Sequence, residues 1–301
     1  MDIENVLVPV DFSPPSRLAV NYGVCLARKF GAKLTLMNVV ESAPALAHRL
    51  TARTVTIEKE DREKAARMLS ALLGSETQTN LELVFVVKSG NIKSQITAVI
   101  REQHADIVVM GTHGRGLFGR CVIGSTTEGM LRKISIPLLT VCRVTKPMAF
   151  NRILFATDLS ESSKQGFYFA LELAATIRSD LIVVYALDQT PLLKSGCAEM
   201  VPYVTQLNIE EAKATFAGFV TEGSHAKVKV EALVAEGIAA EEILKAGDRN
   251  SADLIVLTVG KKGFVEQALL GTTAERVIRE ASVPVLSIPA NVRTERQTTP
   301  L

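Results

Sequence analysis

The chain has 301 residues, 47% of them hydrophobic and 22% charged. This mix excludes general disorder, and at ~150 residues per domain the length predicts two packed domains. With 34 Lys and Arg against 32 Asp and Glu, the net charge of +2 excludes the concentrated basic surface of a dedicated nucleic-acid or anionic-membrane protein.

In chain order, residues 6–10 form a short apolar run of the kind that makes a buried parallel strand. Ser13 then caps a helix, with Pro14 in the first turn, where proline is tolerated. Leu18, Tyr22, Cys25, Leu26 and Phe30 space its apolar face, and Gly31 stops it. Residues 34–40 are strand two. A long variable stretch follows, holding a charged helix around residues 58–73. Residues 81–87 are strand three. Residues 92–104 are a helix with Ile92, Ile96, Val99 and Ile100 on one face. Residues 107–110 are strand four, ending in a glycine-rich loop. Residues 125–134 are a further helix, and residues 138–141 are strand five after Pro137. Strands alternating with helices of this length imply right-handed crossovers and a parallel sheet covered on both faces.

The pattern then repeats. Residues 6–13, Val-Leu-Val-Pro-Val-Asp-Phe-Ser, match residues 153–160, Ile-Leu-Phe-Ala-Thr-Asp-Leu-Ser, at an offset of 147. The same offset carries Gly90 to Gly237, Ala105-Asp106 to Ala252-Asp253, Gly124-Ser125-Thr126 to Gly271-Thr272-Thr273, Glu128 to Glu275 and Pro137 to Pro284. So many matches in one register predict two homologous domains, 1–144 and 150–290, followed by a polar tail, 291–301. If the strand order is 3-2-1-4-5, it reverses between strands one and four, where ligands sit at the carboxyl ends of the strands. Asp11 and Gly111 then meet at one crevice.

Residues 111–126, GTHGRGLFGRCVIGST, carry the chemistry. Gly111 and Gly114 allow turns closed to other residues and close approach by a ligand. Gly124-Ser125-Thr126 opens a helix, whose free amides and two hydroxyls suit phosphate oxygens. Arg115 and Arg120 can add charge. The string Gly114-x-Gly116-x-x-Gly119 matches the dinucleotide fingerprint literally but follows the wrong strand, and no acidic residue follows at the required distance. No Walker A string occurs, which excludes a P-loop nucleotidase. Asp11 has two readings: a carboxylate that accepts from both hydroxyls of a vicinal diol, or a helix-start carboxylate bonding nearby amides.

The spacing Gly111-x2-Gly114-x9-Gly124-Ser125 resembles the ATP-binding signature of universal stress proteins. The stretches 8–13, 34–41 and 106–115 are similar to the same family, and the likeness covers nearly the whole chain, once per half. It implies an α/β fold of two tandem Rossmann-like, adenine nucleotide α-hydrolase-like domains, each a five-stranded parallel sheet of order 3-2-1-4-5 with helices on both faces. By this resemblance the nucleotide site comprises Pro9, Val10, Asp11, Val39, Met110, Gly111, His113, Gly114, Arg115, Gly124, Ser125 and Thr126. Asp11 takes the ribose, Pro9, Val10 and the Val39 backbone border the adenine, Gly111 and Gly114 run along ribose and phosphates, and Gly124–Thr126 hold the phosphates. Mg²⁺ would enter through the phosphates. Asn38 stands where many members have His, and strand alternation is expected to turn it away from the crevice.

Continuing the offset, Gly111 becomes Thr258, Gly114 becomes Lys261 and Val39 becomes Ala186, while Asp158, Gly271 and Thr272 persist. A Cβ at 258 or 261 is expected to crowd a ligand, so the second half reads as having lost or weakened ATP binding. The resemblance implies pairing of the two domains through their fifth strands, 138–141 and 285–288, and further association into a homodimer.

No catalytic constellation appears. His48, His104, His113 and His225 are scattered, and neither GxSxG nor HExxH occurs. No catalytic residue and no metal ligand is assigned. Cys25, Cys121, Cys142 and Cys197 form no CxxC and have no His at ligand spacing. The acidic start, the absence of a ~20-residue apolar span and the scattered cysteines predict a cytoplasmic protein. The leading expectation is an ATP-binding stress-response regulator with an unidentified protein partner. The alternatives are a slow ATPase or self-phosphorylating enzyme, and a nucleotide-free scaffold.

Overall fold

A computed structural model describes residues 1–40, 52–73, 81–112, 123–133, 135–141, 149–189, 198–260 and 270–290. The chain divides into two compact units, one of residues 2–141 and one of Met1 with residues 142–301.

The first unit runs β1 (Asn5–Pro9), α1 (Pro14–Phe30), β2 (Lys33–Val40), α2 (Ala52–Ser70), β3 (Leu83–Ser89), α3 (Ile92–Glu102), β4 (Ile107–Gly111), α4 (Ser125–Lys133) and β5 (Leu138–Val141). Its strands are parallel, in the order β3-β2-β1-β4-β5. The second unit runs β6 (Arg152–Thr157), α5 (Glu161–Ile177), β7 (Asp180–Leu187), a 3₁₀ turn (Ala198–Met200), α6 (Val201–His225), β8 (Val230–Glu236), α7 (Ala239–Arg249), β9 (Leu254–Val259), α8 (Thr272–Glu280) and β10 (Val285–Pro289). Its parallel order, β8-β7-β6-β9-β10, is the same topology. The α/β class and the 3-2-1-4-5 order read from the sequence are what the structure has.

The central strands are buried on both faces. Val6, Leu7 and Val8 are fully covered, as are Ile153, Leu154 and Phe155. That is why their runs are continuously apolar rather than alternating. β3 is different. Most of its residues are half-buried at the sheet edge, so hydropathy places it two residues too early, at 81–87 rather than Leu83–Ser89. The helix expected over 92–104 ends at Glu102, and His104 takes a left-handed φ of 49°.

The repeated motifs have structural causes as well as functional ones. Asp106 Oδ2 accepts from the amides of Glu4 and Asn5 at 2.8 and 2.9 Å, tying the start of β4 to the start of β1. Asp253 does the same for Asn151 and Arg152 at 2.9 and 3.1 Å. Ser13 caps α1 by accepting from the Ser16 amide, and Ser160 caps α5 through Ser163. Gly31 ends α1 at φ 66°, whereas its counterpart Arg178 ends α5 at φ 59°. A non-glycine residue there costs about 1 kcal/mol, so the topology holds the turn even where the residue disfavours it.

Candidate functional site

The strand order of the first unit reverses between β1 and β4, and a crevice of about 220 Å³ opens at that point. Its floor is the carboxyl ends of three strands: Pro9, Val10 and Asp11 after β1, Met37–Val39 on β2, and Met110 and Gly111 on β4. Ile92 and Ile96 of α3 overhang one side, and Gly124–Thr127 at the start of α4 close the other. Residues a hundred apart in sequence therefore share one wall.

Asp11 sits at the start of a tight turn. Its Oδ1 accepts from the Ser13 amide at 3.0 Å and from the Ser13 hydroxyl at 2.5 Å. Phe12 between them is held at φ 65°, a conformation that costs a bulky residue about 1–2 kcal/mol. Asp158 and Ser160 repeat the turn at 3.1 and 2.5 Å, with Leu159 at φ 61°. The structure shows the second reading of Asp11, a carboxylate at the helix start. One oxygen braces the helix start, and a carboxylate oxygen can accept more than one donor.

Asn38 corrects an expectation. It lines the crevice rather than turning away, and its Nδ2 donates to the Val10 carbonyl at 2.7 Å. Alternation governs a strand inside its ladder. At this end β1 has already stopped at Pro9, so the Asn38 amide reaches across to the first carbonyl beyond it. The Val10 amide donates to the Met37 carbonyl at 2.7 Å, which fixes the same residue from its other side.

Gly111 corrects a second. Its φ is not left-handed; its missing side chain makes room for α1. A Cβ would lie 2.7 and 2.8 Å from the carbonyl carbon and oxygen of Pro15. The Gly111 carbonyl accepts from Thr127 Oγ1 at 2.9 Å, which joins β4 to the first turn of α4. The Gly124 amide donates to the Thr112 carbonyl at 2.6 Å. The amides of the α4 first turn and the hydroxyls of Ser125 and Thr126 lie at the crevice mouth, a cradle for an anion.

The family model for universal stress proteins matches residues 2–141 and again 149–289. The chain belongs to the universal stress protein family. Universal stress protein Slr1230 of Synechocystis is 25% identical over 313 residues, spanning 95% of this chain and 99% of that one. Universal stress protein MJ0531 of Methanocaldococcus jannaschii is 30% identical over 140 residues, 46% of this chain and 82% of its own length. The crystal structure of a universal stress protein from Archaeoglobus fulgidus superposes with a TM-score of 0.66 at 19% identity, covering 95% of this chain and 98% of that one, a likeness of fold.

In this tandem universal stress protein, nine of the twelve site residues read from the sequence line the first crevice: Pro9, Val10, Asp11, Val39, Met110, Gly111, Gly124, Ser125 and Thr126. His113, Gly114 and Arg115 lie outside the described residues, as do Lys261 and His48. Sequence reasoning missed Ser16, Met37, Asn38, Ile92, Ile96 and Thr127. Ile92 and Ile96 were legible as one apolar face, yet nothing in their spacing says that its first turn overhangs a ligand crevice. Among the described residues no cluster of His, Cys, Asp and Glu could hold a metal ion, and no helix is long and apolar enough to cross a membrane.

The second unit keeps a crevice at the corresponding place, of about 460 Å³. Thr258 does not fill it. A Cβ on Gly166 of α5 would run into Thr258 Oγ1, so the threonine side chain occupies the notch that Gly166 leaves. Thr258 still lines the crevice, with its hydroxyl set against Gly166 rather than filling the space.

Proposed function

We propose that the first unit binds ATP and that the bound nucleotide makes the protein a stress-response regulator in the cytoplasm. The observation that carries this reading is the meeting of Asp11, Gly111 and the Gly124–Thr126 helix start at one crevice where the strand order reverses. Asp11 faces the ribose diol, the apolar wall of Pro9, Val10 and Val39 borders the adenine, and the α4 amides with Ser125 and Thr126 take the phosphates. Mg²⁺ would enter with the phosphates and supply positive charge there, and Asp11 is the only ionisable side chain among the described lining residues. The two units pair through Leu138–Val141 and Val285–Pro289, and the paired chain associates with a second copy and an unidentified protein partner.

Calorimetry with ATP and Mg²⁺ on the intact chain and on Thr126→Glu tests the nucleotide. A carboxylate in the first turn favours the helix but repels phosphate. The expected result is ATP binding that Thr126→Glu abolishes while adenosine binding survives. An intact chain that takes up no ATP overturns the proposal.

A further inference from the structure

The second crevice has a different lining from the first, and three of the differences are truncations of large apolar side chains or proline to alanine. At the 147-residue offset, Pro9 becomes Ala156, Val39 becomes Ala186 and Ile92 becomes Ala239, each lining its own crevice. Two of the truncations, at Pro9 and Val39, fall on the wall that borders the base in the reading of the first unit, and the third, at Ile92, falls on the α3 residue lining the same crevice. The volume rises from about 220 to about 460 Å³. Two parts of the frame are kept. Asp158 is set by the same Asp–Ser turn as Asp11, the backbone after it is left-handed in both units, and Ile243 stands where Ile96 does. Three substitutions add bulk: Thr258 for Gly111 is absorbed by Gly166, Tyr185 for Asn38 does not line the second crevice, and Thr272 for Ser125 adds one methyl group. A crevice that had merely decayed would be expected to fill or to lose its acidic turn. This one keeps the acidic turn and carries alanines at 156, 186 and 239.

We propose that the second crevice is a working site for a diol-bearing ligand whose head group is larger than the first crevice admits. Asp158 accepts from the diol, and the space left by Ala156, Ala186 and Ala239 takes the enlarged head. The assignment of Asp158 rests on the reading of Asp11 as a diol acceptor; the assignment of the head rests on the three truncations alone. Whether the ligand carries phosphates is left to two arms of one experiment, because the α8 start, capped at Gly271 with no side-chain bond, serves a phosphate or a neutral oxygen.

The test titrates the full chain, already saturated with ATP and Mg²⁺, with N6-benzyladenosine and separately with N6-benzyl-ATP. One equivalent of either probe is expected to bind. Ala239→Ile and, independently, Ala186→Val rebuild the walls of the first unit and are expected to weaken that binding about tenfold or more, since a few methyl groups in a fitted pocket discriminate on that scale. Hydrogen exchange on β6 and β9 confirms that each variant stays folded. The proposal is overturned if neither probe binds, or if both folded variants bind as the intact chain does. A chain that takes up no ATP yet binds a benzylated probe, with loss in Ala239→Ile, overturns the proposed function and leaves this one standing.

Discussion

Where β4 meets α1 in the first unit, Gly111 lies against the Pro15 backbone and Ala19 stands one turn further along the helix. Where β9 meets α5 in the second, the strand carries Thr258, and the helix carries Ser162 and Gly166. Bulk has moved from helix to strand. A glycine lost from a ligand motif therefore need not mean a lost site; its partner residue has to be read with it. The comparison breaks if Gly111→Thr leaves the first unit unperturbed. The expected cost is about 1–3 kcal/mol of overpacking, seen as loss of hydrogen-exchange protection confined to β1 and β4. Adding Pro15→Ser and Ala19→Gly is expected to restore most of it, because those changes transplant the second unit's arrangement. The reciprocal Gly166→Ala should unlock β6 and β9 despite alanine's better helix propensity, and Thr258→Gly should repair it.

This pairing also marks the limit of what the sequence discloses. The repeat is a periodic signal, so it is legible directly, whereas the strand order follows from the family resemblance and the Asp11 turn is one of two open readings. Ser13 and Gly31 announce a helix start and stop by chemistry that acts within four residues. Thr258 and Gly166 are 92 residues apart in sequence, and neither alone signals the other. Asn38 was misjudged for a related reason. The alternation rule assumes a strand with a neighbour, and the place where β1 ends beside it is a tertiary fact. Arg178 shows the reverse case: a left-handed cap without glycine, set by the fold around it.

The Asn38 contact is the next place where the units part. Its amide satisfies the Val10 carbonyl, whereas the corresponding residue of the second unit is Tyr185. Asn38→Ala leaves a buried acceptor without that donor and is expected to cost about 1–2 kcal/mol in chemical denaturation. Tyr185→Phe should cost the second unit much less. Equal losses would mean that Asn38 contributes packing rather than its hydrogen bond.

A smaller effect separates the two helix starts. In the first unit the Lys93 side chain crosses Gly129 so closely that a Cβ there would lie 2.7 Å from Nζ. Among the described residues Lys93 forms no ion pair, and it sits one turn from Ser125. In the second unit Ala240 replaces the lysine and Arg276 replaces the glycine, and Arg276 is held by Glu241 at 3.0 Å and Glu280 at 3.2 Å. The first unit thus keeps a cation without an ion pair among the described residues near its proposed phosphate cradle, and the second has paired its own. Lys93→Ala is expected to weaken ATP by up to about 1 kcal/mol, roughly fivefold, and to leave adenosine unchanged. Arg276→Ala should change neither titration. A parallel loss for ATP and adenosine would show that Lys93 shapes the crevice instead of meeting phosphate.

The faintest difference is one of titration. Burial raises the Tyr185 phenol above its ordinary value, and the negative charges of Glu211 and Asp158 raise it further. The folded chain therefore disfavours the phenolate. Any stability Tyr185 contributes is fully present below the unfolded value near pH ~10 and is lost as pH rises through the higher folded value. A spectrophotometric titration of phenolate absorbance should show a late component that Tyr185→Phe removes. Glu211→Gln should move that component to lower pH while leaving it present, because burial, the larger cause, is untouched. Asn38 has no ionisable group, so the first unit offers no counterpart at this strand end, and a titration that Tyr185→Phe left unchanged would remove the distinction.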